Sequence, residues 1–291
     1  MAFECRYLHL PPFCFEIRTD LPSVLTNIQL IYADAIQHSS KYTDYFLTIK
    51  SGSGLRKFIR PQVRFLADQQ EPFKPINSDC GFALLEWGMN WCVATQEMRF
   101  VIVHAAVLEK DGKAVLFPAP PGSGKSTLTA WLAFNGWRLL SDEMALIQPG
   151  TQTVVPFVRP ICLKNNSITL AKTWFPTARF SSIAKNTHKG DVIHLSPPTL
   201  SWQQSSVPAQ IVAIVFPKYD KDQTLTITQL NQAQSFSALA ENAFNFSLGG
   251  QAGFETIVQL VEKAQCFEAS YNSVAELAEF LSEDVLPYAN I

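Results

Sequence analysis

Residues 118–127 read PAPPGSGKST. From Gly122 onward this run fits the nucleotide-binding loop G-x-x-x-x-G-K-[ST], with Ala119 standing where that pattern has its first glycine. Gly122 and Gly124 let backbone approach a ligand with no Cβ in the way. Lys125 supplies a mobile cation for outer phosphates, and Ser126 offers a hydroxyl to Mg²⁺. Pro120 and Pro121 pre-set φ along the same arc, so less entropy is lost in ordering it. The competing reading is a polar turn capped by Ser123 that binds nothing. Sequence context separates the two: an apolar strand-like run before the loop, a helical run after it, and an acidic pair at the end of the next strand.

Working outward, RFVIVHAAVLE (99–109) reads as extended, DGK (111–113) as a hairpin turn of the Asp-Gly kind, and AVLFPAP (114–120) as a second apolar strand. Leu128, Trp131 and Leu132, followed by Asn135-Gly136, describe a short helix and its C-terminal stop. A strand that ends in a glycine turn and opens a helix aims several backbone N–H groups at one point, where the helix adds a partial positive charge. The phosphate-binding stretch is therefore Pro121, Gly122, Ser123, Gly124, Lys125, Ser126 and Thr127.

RLLSDEMALI (138–147) then predicts an apolar strand interrupted by Asp142 and Glu143. Two carboxylates in a run apolar enough to be buried are costly without a cation. Mg²⁺ held near Ser126 resolves that cost, one carboxylate holding the metal and the other taking a proton from an attacking hydroxyl. His104 lies in the middle of VIVHAAVLE, where a core-facing strand has no need of an imidazole.

Before residue 95, CFEIRTD, DYFLTIKSG and VRFLADQQ read as extended, VLTNIQLIYADAI as helical, and CGFALLEWGMNWCVATQ as a helix whose tryptophans pack in a core. A domain boundary near residues 95 to 100 divides the chain into a small α+β region, 1–97, and a second domain, 98–291. Further on, THKGDVIHLSPP places Lys189 in a polar turn, and IVAIVFPKYDKDQ ends an apolar strand with Lys218 and Tyr219 at its exit. Ligands gather at strand exits in α/β sheets, so Lys189 and Lys218 are candidate phosphate or substrate contacts. CFEASY predicts a strand, and SVAELAEFLSEDV an amphipathic helix with Ser273 and Glu276 spaced as a capping box.

Composition narrows the function classes. With 291 residues and 47% hydrophobic content the chain can bury a substantial core, and a net charge of −2 gives no general pull toward nucleic acid or an anionic membrane. Six cysteines without a C-x-x-C pair argue against zinc and a disulfide framework, and for reduced thiols. No run of about 20 apolar residues or signal segment is evident, so the expectation is a cytoplasmic protein without a membrane span.

Taken together, His104, the loop ending GSGKS, and Gly136, Arg138, Leu139, Leu140, Asp142 and Glu143 in GWRLLSDE resemble the catalytic domain of HPr kinase/phosphorylase. The likeness is specific over residues 100 to 147. It is similar above all to the HPr-kinase-related kinase A branch, found beside peptide-modification systems with small peptide-chaperone proteins. The resemblance implies an α/β fold with a P-loop kinase core of the HPr kinase and phosphoenolpyruvate carboxykinase type. It implies Asp142 as general base toward a serine hydroxyl, Glu143 with Ser126 as metal or water-positioning group, and His104 hydrogen-bonded near the base. ATP and Mg²⁺ are the implied cofactors, a small protein or peptide the implied acceptor, and relatives assemble as homo-oligomers. Ala119 and Glu143 depart from the family pattern, and the signature supporting reverse phosphorolysis is missing, so phosphorylase activity is not expected. Two other readings keep the loop: a small-molecule alcohol or amino-acid kinase, and a nucleotide-switched peptide-binding module without transfer.

Overall fold

The computed structural model describes residues 2–54, 59–120, 122–245 and 248–289. The chain is mixed α/β and divides into two compact units, Met1–Gln96 with Pro160–Trp202, and Glu97–Arg159 with Gln203–Ile291. The boundary drawn from sequence at 97/98 lies one residue past the first of these junctions. Residues 160–202, which that reading assigned to the second domain, belong instead to the first unit. The reason is apolar burial: Cys162, Ala184 and Val192 share one buried cluster with Cys80 and Ala83.

The first unit is built on strands β1 (Glu4–Leu10), β2 (Phe13–Thr19), β3 (Ile36–Gln37), β4 (Tyr45–Ser51), β5 (Gln62–Ala67) and β6 (Ile76–Asn77), with helices α1 (Pro22–Ile31) and α2 (Gly81–Gln96). Among the described residues these strands form one sheet in the order β3-β1-β2-β4-β5-β6. Phe15 stacks on Tyr45 at 5.0 Å in its core, and the Tyr32 hydroxyl donates to the buried Glu86 at 2.7 Å. Gly88 lets α2 lie against β5, since a Cβ there would come within 2.0 Å of the Phe65 ring.

The second unit opens with β7 (Val101–Val103), β8 (Ala105–Lys110), β9 (Lys113–Pro118), α3 (Lys125–Phe134), β10 (Arg138–Ser141), β11 (Ala145–Ile147) and β12 (Thr153–Val155). The chain then passes through the first unit as β13 (Ile161–Lys164), α4 (Asn166–Trp174), β14 (Ala184–Thr187), β15 (Gly190–Leu195) and α5 (Thr199–Gln203). It returns as β16 (Ala209–Tyr219), β17 (Thr226–Gln229), α6 (Gln232–Ala240), α7 (Gly250–Lys263), β18 (Gln265–Tyr271) and α8 (Val274–Phe280).

Strand β8 lies antiparallel between β9 and β10, while β16 runs parallel to both β9 and β18. The β8–β9 turn has positive φ at both Asp111 and Gly112, 56° and 81°, as an Asp-Gly hairpin of the predicted kind requires. Ala105, Val107, Ala114 and Leu116 pack with Ile257, Leu260 and Val261 of α7. Side chains alternate along a strand, so Ala106 and Leu108 point to the opposite face, where α3 packs on β8 and on α8. Both faces of these central strands are covered, which is why β8 and β9 read as unbroken apolar runs.

Two runs expected to be single strands are each divided in two. RFVIVHAAVLE breaks at His104, because β7 pairs with β11 whereas β8 pairs with β9 and β10. RLLSDEMALI breaks at Asp142 and Glu143 for the same reason, β10 pairing with β8 and β11 with β12 and β7. The residues singled out for chemistry therefore sit where the chain changes partners.

Arg138 is buried and ion-paired with buried Glu109, and its Nη1 donates to the carbonyls of Gln204 and Val207 at 3.0 and 2.7 Å. Its place in GWRLLSDE is thus accounted for by architecture. Arg138→Ala should cost about 3–5 kcal/mol, because it leaves a carboxylate buried without its cation. Urea unfolding of that variant and of the double change Arg138→Met with Glu109→Gln checks the cause. Recovery in the double variant is expected, and an equal loss would assign the cost to the two carbonyls instead.

Candidate phosphate-binding site

The candidate loop connects β9 to α3, the strand–loop–helix arrangement expected of it. Of the seven residues proposed to bind phosphate, Pro121 lies outside the described residues. Gly122 and Gly124 have φ of 92° and 88°, the left-handed region in which a side chain is strained. A Cβ on Gly122 would meet nothing within 4 Å, so that glycine faces open space. A Cβ on Gly124 would come within 2.8 Å of Tyr219 Cβ, so that glycine permits close packing against the end of β16. The Tyr219 N–H donates to the Ser123 carbonyl at 2.9 Å and pins the loop to that strand.

Helix α3 starts at Lys125 with Gly124 as N-cap, no side chain caps it, and its first turn holds no acidic residue. Helices ordinarily satisfy those first N–H groups with a Ser, Thr, Asp or Asn side chain. Ser123, the capping residue of the competing reading, does not do so, and its hydroxyl is buried without a hydrogen-bond partner among the described residues. An uncapped, positively polarised helix end beside a buried lysine is suited to an anion.

Lys125 is buried, and its Nζ lies 3.2 Å from His104 Nε2. The other ring nitrogen, Nδ1, lies 3.1 Å from the Glu143 carbonyl. A carbonyl only accepts, so Nδ1 carries the proton and Nε2 presents its lone pair to the ammonium. The His104 N–H donates to the Asn242 carbonyl at 2.6 Å, and its ring packs against Phe244 at 5.5 Å. His104 is held from both sides.

Ser126 Oγ lies 3.4 Å from Asp142 Oδ2, and Asp142 is buried. A shift in register between Leu139 and Ser141 marks a bulge in β10 just before that carboxylate, a device that re-aims side chains at strand ends. The Met144 N–H donates to Ser141 Oγ at 2.9 Å and tightens the turn that carries Asp142 and Glu143. Asp142 thus lies within reach of the Ser126 hydroxyl, in the same turn as Glu143, with which the sequence reading paired Ser126. Ser126 Oγ and the Asp142 carboxylate are hard oxygen donors of the kind Mg²⁺ takes. Among the described residues no three His, Cys, Asp or Glu side chains converge as a metal-binding group. A Mg²⁺ ion here would take its other ligands from water and phosphate, as that ion commonly does.

Thr127 belongs to the first turn of α3, where its N–H donates to the Gly124 carbonyl at 3.1 Å. Lys218 is exposed at the end of β16, beside Tyr219. Lys189 is a residue of the first unit, in the β14–β15 turn, with its Nζ 5.7 Å over the Trp87 ring.

Two residues that the sequence reading left without a role stand against the loop. Tyr271, at the end of β18, is buried, and its ring meets the half-exposed ring of Tyr219 edge to face at 5.9 Å. Burial, and then the neighbouring Tyr219, push the Tyr271 phenol well above its ordinary value. It remains a neutral hydroxyl beside Gly124, adding no negative charge where an anion would dock. Position at strand exits was the available signal for both tyrosines; their contact with the loop depends on the β9–β16–β18 pairing.

Neither the protein-family models nor the curated proteins compared with this chain match it. Among the described residues no helix is long and apolar enough to cross a membrane.

The raised Tyr271 pKa has a definite sign. Above about pH 10 the unfolded chain releases the phenolic proton and the folded chain retains it, so the stability contributed by the neutral phenol is present below that pH and falls as pH rises. Tyr271→Phe should therefore keep more of its neutral-pH stability than the native chain between about pH 10 and 12. Denaturant unfolding across that range measures it, and identical pH profiles would show that Tyr271 does not govern the alkaline limb.

Proposed function

We propose that the second unit is an ATP-dependent phosphotransferase that moves the γ-phosphoryl group to a hydroxyl, with serine of a small protein or peptide as the acceptor class. One observation carries the reading: an uncapped helix start with Lys125, His104 and the Ser126–Asp142 pair all meet at one end of one sheet. The likeness of His104, GSGKS and GWRLLSDE to the HPr-kinase-related kinases supplies the reaction class and the acceptor.

In this reading the first N–H groups of α3 and the backbone at Gly122 and Gly124 receive the β and γ phosphates, and Lys125 neutralises their charge. His104 presents a lone pair to Lys125 and so sets the direction of the ammonium group. Asp142 accepts the proton of the acceptor hydroxyl as its oxygen bonds to the γ phosphorus and the bond from that phosphorus to the β–γ bridging oxygen breaks, releasing ADP. Ser126 and Glu143 are the groups that would hold Mg²⁺, which when bound would offset charge on the phosphates, and Asp142 is left to take the proton. Fixing the reactants at one sheet end contributes by converting an encounter into an oriented contact.

The test uses the full chain, labelled ATP and a panel of small serine-containing proteins and peptides as acceptors. Asp142→Asn should lower transfer by about 10²–10⁴-fold while leaving ATP affinity within about twofold. Lys125→Ala should weaken affinity and transfer together. Full transfer by Asp142→Asn would remove that residue from the mechanism. ATP binding with no phosphorylated product from any acceptor would favour a nucleotide-switched binding module.

A further inference from the structure

We infer that Tyr219 is the platform on which the base of the nucleotide stacks, an assignment that rests on the phosphate reading of the loop and extends it to the other end of the ligand. Strand β16 lies beside β9, runs parallel to it, and continues past their last paired residues, Ile214 and Leu116, as far as Tyr219. Ligands of open parallel sheets bind outside the carboxyl ends of the strands, and Tyr219 is the aromatic residue at that end of the neighbour strand.

Its position relative to the loop is closely defined. Its N–H holds the Ser123 carbonyl at 2.9 Å, and its Cβ stands 2.8 Å from where a Cβ on Gly124 would be. The side chain therefore begins at the phosphate loop, with Cβ and Cγ of Tyr219 both close to Gly124.

The ring is also supported and accessible. Tyr271 is fully buried and braces it edge to face at 5.9 Å, while Tyr219 itself remains 50% exposed. The Asp220 N–H donates to the Tyr271 carbonyl at 2.9 Å, which ties the backbone just after the ring to the same strand. A large aromatic surface braced by a buried ring and left half in water loses little entropy on stacking against a second ring system. Every nucleobase has such a face, so the ligand class is a nucleoside triphosphate bound by stacking in addition to its charge.

Calorimetric titration of the full chain with Mg-ATP and, separately, with Mg-tripolyphosphate tests the assignment. Tyr219→Ala should weaken ATP binding by about tenfold or more while leaving tripolyphosphate affinity within about twofold, and Tyr219→Phe should keep the native affinity for both. Unchanged ATP affinity in Tyr219→Ala would overturn the proposal. So would an equal loss for ATP and tripolyphosphate, which would make the ring a brace for the loop. If the native chain bound neither ligand, the phosphate reading itself would fall, an outcome distinct from the other two.

Discussion

Strand β8 runs antiparallel to both of its neighbours, and the chemistry of the second unit depends on that pairing. Ala105 lies opposite Pro118 and Val107 opposite Ser141, so the beginning of β8 coincides with the ends of β9 and β10. His104 precedes the first of these residues, the loop follows the second strand, and Asp142 follows the third. A different partner for β8 would separate the three groups by a strand length. Backbone hydrogen bonding, which carries no chemical specificity of its own, thereby decides which side chains meet.

Burial then sharpens what the pairing brings together. Lys125 and Asp142 are both buried at this sheet end, where charge interacts more strongly than in water and where an uncompensated charge is costly. His104 takes part as a neutral ring whose two nitrogens are committed to opposite roles. The tyrosines beside Gly124 add bulk and, at Tyr271, a hydroxyl that stays neutral.

Arg138 illustrates a limit of motif reading. It sits in the same short run as Asp142 and invites a phosphate-binding role, yet it is committed to Glu109 and to two carbonyls that close the chain's return at residues 204–207. The bulge at Leu139–Ser141 separates the two functions, the strand before it serving the architecture and the turn after it presenting the carboxylate.

Local pattern was sufficient for the elements with strong periodicity or turn chemistry: α2, the Asp-Gly hairpin between β8 and β9, β16, β18 and the strand–loop–helix around GSGKST all stand where their residues predict them. These features depend on near neighbours in the chain, through alternation, capping and the dihedral freedom of glycine. Tertiary structure alone decided that 160–202 packs with the N-terminal residues, that the two apolar runs break at His104 and at Asp142–Glu143, that Asp142 comes within reach of Ser126, and that Tyr219 and Tyr271 stand against the loop. Each of those outcomes depends on which strand pairs with which across a long separation in sequence, and an apolar run is equally compatible with several partners until the whole sheet is assembled.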